Sequence, residues 1–227
     1  MIDLHSHILP GIDDGASDIE ESLTLLRAEL SDGVDIVALT PHYVTQRESL
    51  DRFLNKREQA YASLTEAAKD IPVKLLLGAE LTFASDLAAR DLDALCIIGT
   101  KALLIELPEA RCPLTAQEVF YSLKRNGFVP IAAHIERCSY IISDADMLDD
   151  LLLCGVLMQV NADTLLGGGK IRKRILELIE SRRIHIIATD THSMKQRPPM
   201  LGKAMALVKK KLGTEVTDSL NNVLELQ

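Results

Sequence analysis

The chain has no uncharged apolar run of eighteen residues or more, which excludes a helical membrane span. It does not open on a basic stretch followed by an apolar one, so no secretory signal is expected and a cytoplasmic location is. Positive charge is not in excess either. Lys and Arg number 25 against 33 Asp and Glu, a formal net charge of −8. Phosphate backbones need a basic face, so a nucleic-acid partner is disfavoured. Cysteine is scarce, and Cys96, Cys112, Cys138 and Cys154 lie too far apart for a CxxC zinc knuckle. Disulfides are not expected in a cytoplasmic chain. A thiol phosphatase also needs an arginine six residues beyond its nucleophile, so that the loop between can wrap a phosphate. Here those positions hold Ala102, Glu118, Asp144 and Val160. That excludes a cysteine mechanism.

What is present is a 227-residue chain, 47% hydrophobic, of a length that one α/β domain spanning 1–227 can fill. A strand is expected over Ile2 to His5. A helix capped by Ser17 or Asp18 carries Leu23, Leu26 and Leu30 at helical spacing and closes near Gly33. Further strands are expected over Val34–Thr40, Val73–Glu80, Ala102–Glu106, Val129–His134, Val156–Asn161 and Ile184–Asp190. Helical patterns separate them at about Glu48–Lys69, Thr115–Asn126 and Asp144–Cys154, with a shorter helix and turn in Ser85–Gly99. Gly167-Gly168-Gly169-Lys170 lacks the first glycine and the Ser/Thr of a phosphate-binding loop, and reads as a mobile loop before a basic helix. Two helices, about Pro199–Leu212 and Glu215–Leu226, end the chain. Lys209-Lys210-Lys211 reads as the solvated face of the first of them.

Seven strands alternating with helices imply a parallel sheet. Laid flat at about 4.8 Å each, they would span roughly 29 Å. Metal bonds to nitrogen or oxygen are only about 2 Å long. Side chains from the first, third, fifth and seventh strands meet at one centre only if the sheet curls. The expectation is therefore an irregular seven-stranded (β/α)7 barrel, TIM-barrel-like, with its chemistry at the C-terminal rim. The alternative is a doubly wound open sheet.

The residues at strand exits carry the functional signal. His5, His7, His42, His134 and His192 all lie there, whereas His185 sits inside a strand, where a satisfied role is expected. Glu80, Glu106 and Asp190 end strands in the same way, and Asp13-Asp14 lies in the first loop. One carboxylate at a strand end is usually a cap; nine such residues on six strand ends point to metal. Imidazole and carboxylate without thiolate suit manganese, iron, zinc or magnesium. Nine candidates exceed one ion, so a cluster of two or three is implied, with Glu80 placed to bridge. Such a cluster could hold a hydroxide and clamp a phosphate, bringing about +6 of local charge to an acidic protein. Tyr43 either lines the substrate mouth or covers the barrel.

His5-Ser-His7, Asp13-Asp14-Gly15, Thr40-Pro41-His42, Gly78-Ala-Glu80, His134-Ile-Glu-Arg137, Asp190-Thr-His192 and Arg197-Pro-Pro199 together resemble the PHP (polymerase and histidinol phosphatase) superfamily. More narrowly, the chain is similar to the bacterial manganese-dependent protein-tyrosine phosphatases of capsule and exopolysaccharide operons, from Met1 to roughly Pro199. The resemblance implies a three-metal site. His5, His7, Glu80 and Asp190 would hold one ion, Glu80 and His134 would reach a second, and Asp14, His42, Glu106 and His192 would surround the rest. Arg137 and Arg197 would grip the phosphate with their planar forks. The family's tyrosine after His-Ile-Glu-Arg is Cys138 here, and Glu136 reads as structural.

The resemblance also implies hydrolysis of phosphotyrosine by a metal-bridged hydroxide, with no covalent phospho-enzyme. The partner it implies is the tyrosine-rich tail of a polysaccharide-synthesis kinase. Two other readings stand beside it. One is a small-molecule phosphatase of the histidinol-phosphate type. The other is a non-catalytic metal-binding PHP module.

Overall fold

The computed structural model describes residues 1–221 and contains nine strand segments. They are β1 (Ile2–Ser6), β2 (Ile36–Leu39), β3 (His42–Tyr43), β4 (Lys74–Leu77), β5 (Glu80–Thr82), β6 (Ala102–Glu106), β7 (Val129–Ala132), β8 (Leu157–Asn161) and β9 (Ile186–Ala188). One parallel sheet runs β1-β2-β4 and the other β3-β5-β6-β7-β8-β9.

The expected seven-stranded barrel is met only in part. The expected strand Val34–Thr40 stops at Leu39 and a short strand resumes beyond Pro41, while the expected strand Val73–Glu80 is broken at Gly78-Ala79, so the ladders divide into two sheets that do not close as one. Pro41 has no N–H to give a ladder, which accounts for the first break. At the second, Arg57 donates from Nη1 to the Gly78 carbonyl at 2.9 Å and takes it out of sheet pairing. The two sheets touch at their far edges, where Asp190 N donates to His5 O and His7 N to Thr191 O, both at 2.9 Å.

Side-chain alternation shows how the sheets share a core. Leu4, Ala38, Leu76, Leu104, Ile131 and Ile186, drawn from both sheets, join one small interior cluster. Their strand neighbours Val37, Leu39, Leu77, Leu103, Ile105 and Ile187 face the other way, into a larger cluster beneath the helices. Strands buried on both faces read as continuous apolar runs, which is how they appear in the sequence.

The helices are α1 (Ile19–Ser31), α2 (Leu50–Ala67), α3 (Ala116–Arg125), α4 (Ser139–Ile142), α5 (Ala145–Leu153), α6 (Ala162–Gly167), α7 (Gly169–Glu180), α8 (Leu201–Leu212) and α9 (Thr214–Asp218). Asp18 caps α1, accepting from Glu21 N at 2.9 Å. The expected mobile glycine loop is instead a tight corner between α6 and α7. Arg172 closes it, donating to the carbonyls of Leu165 and Leu166 at 2.6 Å each. The last expected helix is represented by α9, and its stretch beyond Asn221 lies outside the described residues. No helix among the described residues is long and apolar enough to cross a membrane.

Candidate metal centre

Two side chains on strands, His5 of β1 and Glu80 of β5, and two just past strand ends, His7 after β1 and Asp190 after β9, bring single atoms close together. His5 Nε2 lies 3.1 Å from His7 Nε2, 3.4 Å from Glu80 Oε2 and 3.3 Å from Asp190 Oδ1. His7 Nε2 lies 3.3 Å from both of those oxygens. An ion held tetrahedrally at about 2.0–2.1 Å would have ligand-to-ligand edges of about 3.3–3.4 Å. The five separations fall on or near those edges. The buried His192 Nε2 makes no hydrogen bond, and the nearest partner of the buried Glu80 Oε2 is His42 Nδ1 at 2.9 Å. A buried polar atom seldom goes without a partner, and a cation beside His192 Nε2 would supply one.

The atoms that face away from this point are all held. His5 Nδ1 donates to Gln159 Oε1 (3.2 Å), His7 Nδ1 to Asp13 Oδ2 (2.7 Å) and His192 Nδ1 to the Asp190 carbonyl (2.8 Å). Each bond puts the proton on Nδ1 and leaves the Nε2 lone pair free to bind metal. Asp13 also accepts from His42 N and Gly15 N, at 2.9 and 3.0 Å. The loop can pass this close because residue 15 is glycine: a Cβ there would lie 2.0 Å from the His7 carbonyl oxygen.

The backbone is re-aimed at three of these residues. The β1–β2 register shifts between Asp3 and Ser6, so the residues after Leu4 leave the interior row and turn to the rim. His134 and Asp190 sit at φ values of 31° and 52°, a left-handed conformation that costs energy without glycine and clusters at functional sites.

All nine carboxylates and imidazoles expected to bind metal come together, in four overlapping groups. These are His7, Asp14, His42 and His192; His5, His7 and Asp190; His5, Glu80 and His134; and His42, Glu80 and Glu106. Glu80 reaches His134 Nε2 through Oε1 and His42 Nδ1 through Oε2, both at 2.9 Å, so it stands between groups as a bridge would. Burial would raise its pKa, but His5, His134 and His42 hold it well below the usual carboxylate range. Burial likewise opposes ionisation of Asp190, and His5 and His7 reverse this. Burial alone would lower His7, yet Asp13, Asp190 and Glu80 raise it well above 6.5.

Arg137 and Arg197 are not free in the structure. Each donates to Asp190 Oδ2 at 2.5 Å, and Asn161 Nδ2 donates to the same oxygen at 2.9 Å. Three donors on Oδ2 turn Oδ1 toward His5 and His7. Gln159 and Asn161 are the functional residues that sequence reasoning missed. Their signal was two amides at i and i+2 in β8, which matches the one expected strand whose exit carries no metal candidate. Glu136 lies behind the site, accepting from Asn161 N at 2.9 Å. Tyr43 is buried against Phe53, with ring centroids 4.8 Å apart, and so covers the fold. His185 accepts from Met158 N at 3.1 Å, away from the site. Cys138 is buried, with Sγ nearest the carbonyls of Leu107 and Pro108. A cleft of about 690 Å³ opens beside the metal groups, lined by Asp14, His42, Thr82 and Glu106 among others.

Comparison with known proteins agrees with this arrangement. YwqE of Bacillus subtilis, named a tyrosine-protein phosphatase, is 34% identical over 100% of this chain and 91% of its own. Solved structures of YwqE and of CpsB from Streptococcus pneumoniae are described as unique metal-dependent tyrosine phosphatases. One of their chains matches at a TM-score of 0.88 and 30% identity, covering 100% of this chain and 93% of that one. A lactonase of Listeria monocytogenes shares the fold alone, at a TM-score of 0.58 and 8% identity over 96% of this chain and 91% of that one. The family model for capsular polysaccharide synthesis proteins CpsB/CapC matches residues 1–223, and the chain belongs to that family.

Proposed function

We propose that the chain is a metal-dependent phosphomonoesterase that hydrolyses phosphotyrosine in a protein. The observation that carries this reading is the meeting of the two buried imidazoles, His5 Nε2 and His7 Nε2, with Glu80 Oε2 and Asp190 Oδ1, at separations of 3.1 to 3.4 Å from each imidazole. Membership of the CpsB/CapC family and the likeness to YwqE supply the substrate class.

The residues fit divalent ions, since every donor is an imidazole or a carboxylate. His5, His7, Glu80 and Asp190 would hold the first. Glu80 and His134 would reach a second, and Asp14, His42, Glu106 and His192 would surround the remaining ions. Manganese is the metal we assign, with iron, zinc and magnesium compatible with the same ligands. When bound, such ions supply phosphate charge neutralisation and an acidified water.

The chain's own groups do the rest. Arg137 and Arg197 each use one Nη on Asp190 and keep further N–H donors for the equatorial oxygens of a phosphate. Gln159 and Asp13 hold His5 and His7 in the tautomer that faces inward. No thiol competes as nucleophile: burial pushes Cys96 up to about 11 and raises Cys138. A phenol with a pKa near 10 leaves without needing a strong acid, which favours aryl over alkyl phosphates.

The finer assignments follow the same reading. Residues 1–227 form one domain, in the cytoplasm. Its two pairs of broken strands count as one each, giving a seven-stranded ring. The substrate is the tyrosine-rich tail of a polysaccharide-synthesis kinase. The test is phosphate release from a phosphotyrosine peptide and from histidinol phosphate, with chelator and with manganese restored. Activity on the peptide that is abolished by chelation and returned by manganese is expected. A preference for histidinol phosphate would shift the reading to a small-molecule phosphatase. Full activity in metal-free protein would overturn it.

A further inference from the structure

The two arginines expected to meet substrate are tied to Asp190, and neither lines the cleft beside the metal groups. The cleft's one basic side chain is Arg47, in the 44–49 loop between β3 and α2. Its acids are otherwise accounted for. Asp14 and Glu106 belong to the metal groups, and Asp13 holds His7. Glu48 turns to α2, 3.9 Å from Arg52 and 3.5 Å from Lys56. Arg47 is exposed and has no ion pair among the described residues.

The loop that presents it is anchored at both ends. Tyr43 packs on Phe53 before it, and Ser49 caps α2 after it, accepting from Arg52 N at 3.4 Å. Between them Arg47 N donates to Val44 O at 2.9 Å, forming a turn. The cleft is lined by Asp14, His42 and Glu106 of the metal groups as well as by Arg47, so it gives the residues flanking a phosphotyrosine a path past Arg47. The chain as a whole is acidic and so are the other charged side chains of the cleft, so an acidic peptide there needs a local cation to receive it.

Resting on the phosphatase reading, we propose that Arg47 selects substrates carrying Asp or Glu beside the phosphotyrosine. One exposed charge-assisted contact should give an acidic-flanked peptide an advantage of about two- to fivefold in kcat/KM, mainly through KM. The advantage should shrink as salt is raised, because the pair is open to solvent.

The experiment compares two phosphotyrosine peptides, identical except that Asp and Glu beside the phosphotyrosine in one are Asn and Gln in the other. Wild type, Arg47→Ala and Arg47→Glu are assayed with manganese supplied. The readout is the ratio of kcat/KM between the peptides, so any general loss of activity cancels. The assignment expects a wild-type preference for the acidic peptide, its loss in Arg47→Ala and its reversal in Arg47→Glu. Equal ratios in wild type and Arg47→Ala, with both enzymes active, overturn the assignment and leave the phosphatase reading standing. A wild type inactive on both peptides overturns both.

Discussion

Asp190 is where the most interactions meet on one side chain. Its Oδ1 faces His5 and His7, and its Oδ2 accepts from Arg137, Arg197 and Asn161. The two arginines orient Asp190, and on the proposed reading would also offer their remaining donors to phosphate. Arg137→Ala or Arg197→Ala should each lower kcat/KM on aryl phosphates by about 2–4 kcal/mol, or about 30- to 1,000-fold. The metal cage should stay filled, since its four atoms all remain. Because both arginines share one acceptor oxygen, the double variant should lose less than the sum of the two single losses. Kinetics on the three variants, with metal content measured alongside, test this. Additive losses would mean that the arginines act independently. Unchanged kinetics in both single variants would make them ordinary surface residues.

At the scale of elements, the first loop decides whether the centre assembles. Ala16 N donates to His7 O at 2.9 Å, and the Asp13 side chain spans His7, Gly15 and His42. In Gly15→Ala the new Cβ would stand 2.0 Å from the His7 carbonyl oxygen, so loop and strand exit must part. We expect a loss of about 1–3 kcal/mol in stability together with reduced metal content. Thermal unfolding and elemental analysis measure the two, and no change in either would remove the loop from the site. Strand exits were legible in the sequence because buried parallel strands leave apolar runs that stop abruptly at a histidine or carboxylate. The breaks at Thr40-Pro41 and Gly78-Ala79 were not, because an apolar run looks the same whether its ladder is continuous or divided. Nor were the register shift after Asp3 and the positive φ of His134 and Asp190, which tertiary contacts impose. Gln159 and Asn161 were readable in principle as amides alternating in an apolar strand. They were passed over because neither can be a strong metal ligand.

At the scale of the whole molecule, the site concentrates negative charge in a chain already at −8, and pH reports how that is balanced. Asp13, Glu80 and Asp190 are held below the ordinary carboxylate range despite burial. Their contribution to stability is present above the ordinary values near 4 and is lost as pH falls toward the depressed ones. His7 is raised above 6.5 by Asp13, Asp190 and Glu80 against the effect of burial. Its contribution is full below 6.5 and is lost as pH rises through the raised value. Metal-free protein should therefore be most stable from about pH 4.5 upward, and should weaken as pH rises through the raised value of His7, which gives up its proton and leaves the carboxylates facing one another. Metal binding runs the other way, because an ion can occupy the cage only when His5 and His7 are neutral. Manganese should then raise the melting temperature little at pH 5.5 and most at pH 8.5, with protons released on binding. Melting curves with and without manganese at three pH values would measure this. Calorimetric titration in buffers of different ionisation enthalpy would count the protons. A shift that is constant with pH, or largest at pH 5.5, would show that the imidazoles do not hold the ion.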